Sequence, residues 1–182
     1  YYNSSSDLSE NWTLITNIYD YQNNLNANGT INKGFNSIAY SPYLKRTVAV
    51  GPNSVIYYSD FSNNIQDISN LVFKETRIIN GSTNLSNSST YTDIIWDTLS
   101  QKFIVSASTG DYAMIYSEDG ISWTSNLSAS GDYISLTYGN GKLLLIEESG
   151  IYLTDENNIA IIEKESYKFG NSNLDICSNN IY

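Results

Sequence analysis

Apolar residues in this chain come in short runs, each closed by Gly, Asn, Asp, Ser or Pro within a few positions. The clearest stretch runs over 132–157: Asp132-Tyr-Ile-Ser-Leu-Thr-Tyr138, Gly139-Asn140-Gly141, Lys142-Leu-Leu-Leu-Ile146, a second turn around Gly150, then Ile151-Tyr-Leu-Thr-Asp155. Runs this short, bounded by turn residues, predict strands. Gly139-Asn140-Gly141 suits a tight hairpin, because these residues accept positive φ. Residues 159–162 supply a fourth strand, so the stretch reads as one four-stranded antiparallel meander.

The same order recurs upstream. Asp93-Ile-Ile-Trp96, a turn over 97–101, Lys102-Phe-Ile-Val105, a loop through Gly110 and Ala113-Met-Ile-Tyr-Ser117 form one copy. Ser37-Ile-Ala-Tyr40, a turn through Pro42, Arg46-Thr-Val-Ala-Val-Gly51 and Ser54-Val-Ile-Tyr-Tyr-Ser59 form another, and Asn173-Leu-Asp-Ile-Cys177 opens a last one. The first-strand isoleucines Ile38, Ile94, Ile134 and Ile176 fall about 56, 40 and 42 residues apart, a spacing characteristic of repeat architectures. A polar insert over 80–90, rich in Asn and Ser, accounts for the longer interval and is expected to be an exposed loop. A lone meander cannot bury both faces of its sheet, so it must stack on neighbours. The expected fold is therefore all-β: a β-propeller of four-stranded antiparallel blades, about four in this chain, approximately 1–35, 36–90, 91–131 and 132–172. Residues 173–182 begin or close a blade, completing the ring through further residues or by pairing with an N-terminal strand. The first residue, Tyr1, is expected of a processed product or an excerpt from a longer polypeptide.

Composition agrees with strands: 16 tyrosines, with Thr and Ile favoured over Ala, Leu and Glu. Nine basic residues against nineteen acidic ones give a formal net charge of −10. That field opposes nucleic-acid partners, which need Lys and Arg against phosphate, and opposes docking on anionic membranes. The longest aliphatic run, residues 143–146, is far too short to span a bilayer as a helix, and no membrane insertion is expected. The single cysteine, Cys177, sits in an apolar stretch and reads as a small core residue.

The most specific motif joins the third and fourth strands of one repeat: Ser117-Glu-Asp119-Gly120-Ile-Ser-Trp123-Thr124. Asp119-Gly120 is a strong turn signal, and Trp123 can fold back over the turn into the gap between blades. Weaker copies stand at Tyr58-Ser59-Asp60, Tyr152-Leu153-Thr154-Asp155 and Ser6-Asp7 with Trp12-Thr13. The 117–124 segment resembles the Asp-box, the bacterial-neuraminidase repeat of sialidase-like propellers. Together with Tyr138-Gly-Asn-Gly-Lys142 it looks most like propeller repeats of bacteriophage tail fibres and other virion adhesins. The resemblance covers about three-quarters of the chain. It implies a structural role for Ser117, Asp119, Gly120 and Trp123 on the outer edge of a blade, a virion or extracellular location, other virion proteins as partners, and a homotrimer.

Catalysis has few footholds. A sialidase needs three arginines around its substrate carboxylate, and the chain has only Arg46 and Arg77. Arg46, in a hairpin, is expected to be a solvated turn residue. With no histidine, the usual general base and the commonest zinc ligand are both missing. Asp93, Asp132 and Asp175 begin successive first strands, where strand-edge turns explain them better than a glycosidase pair. Glu147 and Glu148 point to opposite faces of a strand. Alternating oxygen ligands over 60–67 lack the Gly and terminal Glu of a calcium loop, so no metal or cofactor is expected. The remaining reading is a rigid scaffold with polar and aromatic loops, a composition shared with binding loops. It fits a non-catalytic module that recognises a host cell-surface glycan or receptor. The rivals are a purely structural component of a virion tail or capsid and a glycan-processing enzyme. Tyr91, Tyr112 and Tyr133, in or beside turns, are the expected exposed contact residues.

Overall fold

The computed structural model describes residues 34–61, 73–76, 78–79, 89–110, 112–125, 132–139, 142–148, 150–154 and 161–165. These form thirteen strands and no helix. In the first sheet, β1 (Ser37–Ser41), β2 (Arg46–Val50), β3 (Ile56–Asp60) and β4 (Lys74–Glu75) pair in that order. The second contains β6 (Thr90–Asp97), β7 (Lys102–Thr109), β8 (Met114–Ser117) and β9 (Ser122–Ser125), with β5 (Ile78–Ile79) added parallel to β9. The third contains β10 (Ser135–Gly139), β11 (Lys142–Glu147), β12 (Gly150–Thr154) and β13 (Ile161–Glu165). Every neighbouring pair except β5–β9 is antiparallel.

Strand alternation decides which sheet faces which. In β7, Phe103, Val105 and Ala107 point to one side and join Val48, Val50 and Ile56 of the first sheet, with Tyr91, Ile94, Ile115 and Trp123. Ile104 points the other way and joins Met114 and the third sheet's Leu136, Leu143, Leu145 and Tyr152. The middle sheet is thus buried on both faces, which is why β7 carries a continuous apolar run where a half-solvated strand would alternate. Thin sheets packed face on face are what the repeat requires. The first strands lie together, with β6 in contact with both β1 and β10.

The hairpins between first and second strands show how closely the copies match. β1 ends at Ser41 and β2 starts at Arg46; β6 ends at Asp97 and β7 starts at Lys102. The last residue of each loop, Lys45 and Gln101, has φ of 52° and 53°. The first position of each caps its own turn. The Ser41 hydroxyl accepts the Leu44 amide at 3.1 Å, and the Asp97 carboxylate accepts the amides of Leu99 and Ser100 at 2.9 and 3.2 Å. Arg46 and Lys102 each lie 5.0 Å from the ring centre of a third-strand tyrosine, Tyr58 and Tyr116. They pair with Asp60 and Glu118.

Three expectations need correction. Leu136, not Ile134, is the counterpart of Ile38 and Ile94: it pairs with Leu145 as Ile94 pairs with Val105 and Ile38 with Ala49. The third hairpin is shorter, closing between Gly139 and Lys142, so counting back from the second strand lands two residues early. Arg46 is not a solvated turn residue; its side chain is 16% exposed and bound to Asp60. The 80–90 insert ends in structure, since Ser89 is buried and Thr90 opens β6. Residues 80–88, Arg77, the 62–67 part of the calcium-like segment, Ser6, Asp7, Trp12, Asp175 and Cys177 lie outside the described residues.

Candidate functional site

The 117–123 turn joins β8 to β9 and consumes its own polar groups. Asp119 Oδ1 accepts the amides of Ile121 and Ser122, both at 2.7 Å. The Ser117 hydroxyl accepts the Gly120 amide at 2.7 Å and stands 2.6 Å from the Ser122 carbonyl, to which it can donate. Burial by itself would raise the Asp119 pKa, but the two amides, the Ser117 hydroxyl and the Arg46 charge outweigh it and hold the carboxyl below its ordinary value. Gly120 has φ of +72°, and a Cβ there would meet Val48 Cγ2 at 2.8 Å and Phe103 Cε2 at 3.1 Å. Arg46 Nη1 reaches across to donate to the Asp119 carbonyl. Thr76, between β4 and β5, donates to the Ile121 carbonyl at 2.6 Å. The turn is therefore pressed against the first sheet, and Trp123, 2% exposed, is buried where the two sheets meet. Ser117 and Asp119 are thus satisfied within the turn, whereas the buried Trp123 Nε1 has no partner.

The three tyrosines do gather at one end of the stack, where second strands end and first strands begin. Two of them are not exposed contacts. Tyr91 and Tyr133 are 1% and 0% exposed, and Tyr112 is half-buried against the core between the first two sheets. The reason is that Tyr91 and Tyr133 are equivalent residues linking one sheet to the next. The Tyr91 amide donates to the Gly51 carbonyl at 3.2 Å, and the Tyr133 amide to the Ala107 carbonyl at 2.9 Å. Asn36 Nδ2 donates to the Tyr91 carbonyl at 2.7 Å, and the Thr92 hydroxyl to the Tyr133 carbonyl at 2.8 Å. Held on both sides by the preceding sheet, each ring has nowhere to go but the interface. The Tyr133 hydroxyl finds no partner there. Burial, then the Glu147 charge and Tyr152, push its pKa up to about 12.

Asp93 carries a role that its position in the sequence does not announce. Its Oδ1 accepts the Ser37 hydroxyl of β1 at 2.7 Å, and its Oδ2 accepts the Ser135 hydroxyl and Leu136 amide of β10 at 2.7 and 3.1 Å. One carboxylate thus ties the first strands of three sheets. Charge-assisted bonds of this kind are shorter and stronger than neutral ones. Asp132, grouped with Asp93 in the sequence, is exposed and precedes β10. The one available signal was alignment: Ser37, Asp93 and Ser135 each stand directly before Ile38, Ile94 and Leu136.

At the opposite end, the hairpin loops present what the sequence reading missed. Tyr43 and Leu99 occupy equivalent tip positions in the 42–45 and 98–101 loops, and both are 70% exposed. Ser41 and Asp97 cap these loops from behind, so two apolar side chains are held out on ordered turns. Among the described residues, no cluster of three or more His, Cys, Asp or Glu is placed to hold a metal ion.

No protein-family model matches the chain, and no curated protein sequence matches it.

Proposed function

We propose that the chain is a propeller-type recognition module without catalytic activity, of the kind carried by virion tail fibres, and that it binds a host cell-surface glycan or receptor. The observation that carries this reading is the pair of protruding tips, Tyr43 and Leu99, repeated on consecutive hairpins. Apolar side chains displayed by capped loops lose little conformational entropy on binding, and an aromatic tip stacks well on a sugar ring. The 117–123 turn supports the reading as an Asp-box in its structural role. The blades stack radially, and the hairpin tips form the contact rim. The negative charge keeps such a module off phosphate-rich surfaces.

A glycan array and whole-cell binding with the intact chain test this, with Tyr43→Ala and Leu99→Ala as paired variants. Binding to a defined glycan or host cell that either variant weakens about tenfold or more supports the reading. Absence of binding to any glycan or host cell removes it and leaves the rival, a structural virion component. An enzyme would instead turn over a glycoside substrate.

A further inference from the structure

The charged groups around the two hairpin tips are already spoken for. Arg46 bonds Asp60 at 2.6 Å, reaches the Asp119 carbonyl and lies over the Tyr58 ring. Lys102 lies over the Tyr116 ring and pairs with Glu118 at 3.5 Å. The buried Asp97 carboxylate accepts the amides of Leu99 and Ser100, and that of Asp119 accepts the amides of Ile121 and Ser122. The loops themselves hold little charge. Residues 98–101 are Thr-Leu-Ser-Gln, and residues 42–45 contain a single ionic side chain, Lys45, which has a partner of its own.

The third hairpin does not change this. Ser37, Asp93 and Ser135 are bonded side by side, and Tyr43 and Leu99 stand six residues beyond the first two. The third chain has by then turned back, because its hairpin closes between Gly139 and Lys142. Among the described residues, Lys142 is the remaining cation at this end, and it opens β11 below the level of the tips. An acidic ligand seated on the tips would have to draw Arg46 or Lys102 away from its acid, against the field of a chain with net charge −10. What the tips offer instead is an aromatic ring, an aliphatic side chain and the uncharged polar groups of the exposed Thr98 and Gln101. We infer that the ligand of the Tyr43–Leu99 rim is an uncharged glycan, a neutral hexose chain whose C–H face packs on the tips and whose hydroxyls meet those polar groups. Sialylated, uronate-bearing and sulfated glycans are rejected by the same arrangement.

This rests on the recognition role proposed above, so the experiment separates the two. The intact chain is applied to whole host cells and to an array of neutral, carboxylated, sulfated and amino-sugar glycans. Array affinities are measured at about 0.1 M and about 1 M NaCl, between which the screening length falls from about 10 to about 3 Å. The expected hits are neutral glycans, with affinities that fall by less than about twofold at the higher salt. Tyr43→Ala should weaken them about tenfold or more, while Lys102→Gln and Lys142→Gln stay within about twofold. Hits that require a carboxylate, sulfate or ammonium group, or affinities that drop about tenfold at the higher salt, overturn the uncharged class and leave the recognition role standing. Binding to cells without binding to any glycan overturns the glycan and leaves a protein receptor. Binding to neither overturns the inference and the recognition role together.

Discussion

The interface between the first and second sheets and the interface between the second and third follow one plan but are finished differently. In both, an aromatic residue three positions before the buried Ile94 or Leu136 is bonded through its amide and carbonyl to the preceding sheet, and in both Asp93 supplies one end of the axial tie. The first interface adds a turn that docks on its neighbour, through Gly120 against Val48 and through Arg46 on the Asp119 carbonyl, with Trp123 filling the space behind. The second is filled by Leu136, Leu143, Leu145, Met114 and two tyrosines; each interface buries one unpartnered polar atom, Trp123 Nε1 in the first and the Tyr133 hydroxyl in the second. The comparison teaches that the repeat sets backbone positions, while a few large or specially bonded side chains set how tightly each pair of sheets is held.

The largest break in the comparison should come from Trp123→Ala, which empties the first interface. A loss of about 3–5 kcal/mol in denaturant unfolding is expected. Asp93→Ala should cost about 2–3 kcal/mol and loosen both interfaces, because two hydroxyls and an amide lose a charged acceptor. After that change, Ser37→Ala and Ser135→Ala should have little further effect, which a double-mutant cycle reads directly. Gly120→Ala strikes the first interface alone, through a backbone conformation that L residues resist and a Cβ 2.8 Å from Val48. A loss of about 1–3 kcal/mol is expected, with hydrogen exchange raised in β2 and β8–β9 more than in β10–β12.

The smallest effects concern titration. Asp119 has a folded pKa below its ordinary 3.8, so its contribution to stability is present above pH 3.8 and is lost as pH falls through the lower folded value. Asp119→Asn should flatten that part of the acid limb. Tyr133 runs the other way. Its contribution is full below pH 10.0 and is lost as pH rises through about 12. Tyr133→Phe should remove this alkaline loss and leave stability at neutral pH within about 1 kcal/mol, since it deletes a buried hydroxyl that has no partner.

Much of the strand layout was legible because hairpin signals are local. The pairs over 37–50, 93–105 and 135–146 follow from short apolar runs and Gly, Pro, Asp or Asn between them. What was not legible depends on distance. The repeat spacing points to Ile134 as the counterpart of Ile94, but the third hairpin is two residues tighter and its register puts Leu136 there. β5 pairs parallel to β9, and only packing brings Thr76 to Ile121. Tyr91 and Tyr133 looked like turn residues, yet their amides and carbonyls belong to a neighbouring sheet. Arg46 looked solvated for the same reason: its partner carbonyl is 73 residues away. In the candidate site, the tips Tyr43 and Leu99 sit in plain turn sequences, and nothing but exposure distinguishes them from buried aromatics.

A single NOESY spectrum of the labelled protein tests the stack most directly. It should contain cross-peaks between the Val48 methyls and the Phe103 ring, and between the Leu136 amide and the Asp93 β-protons. Both sets together place the three sheets face on face around Asp93. A well-folded β-protein lacking both would contradict it.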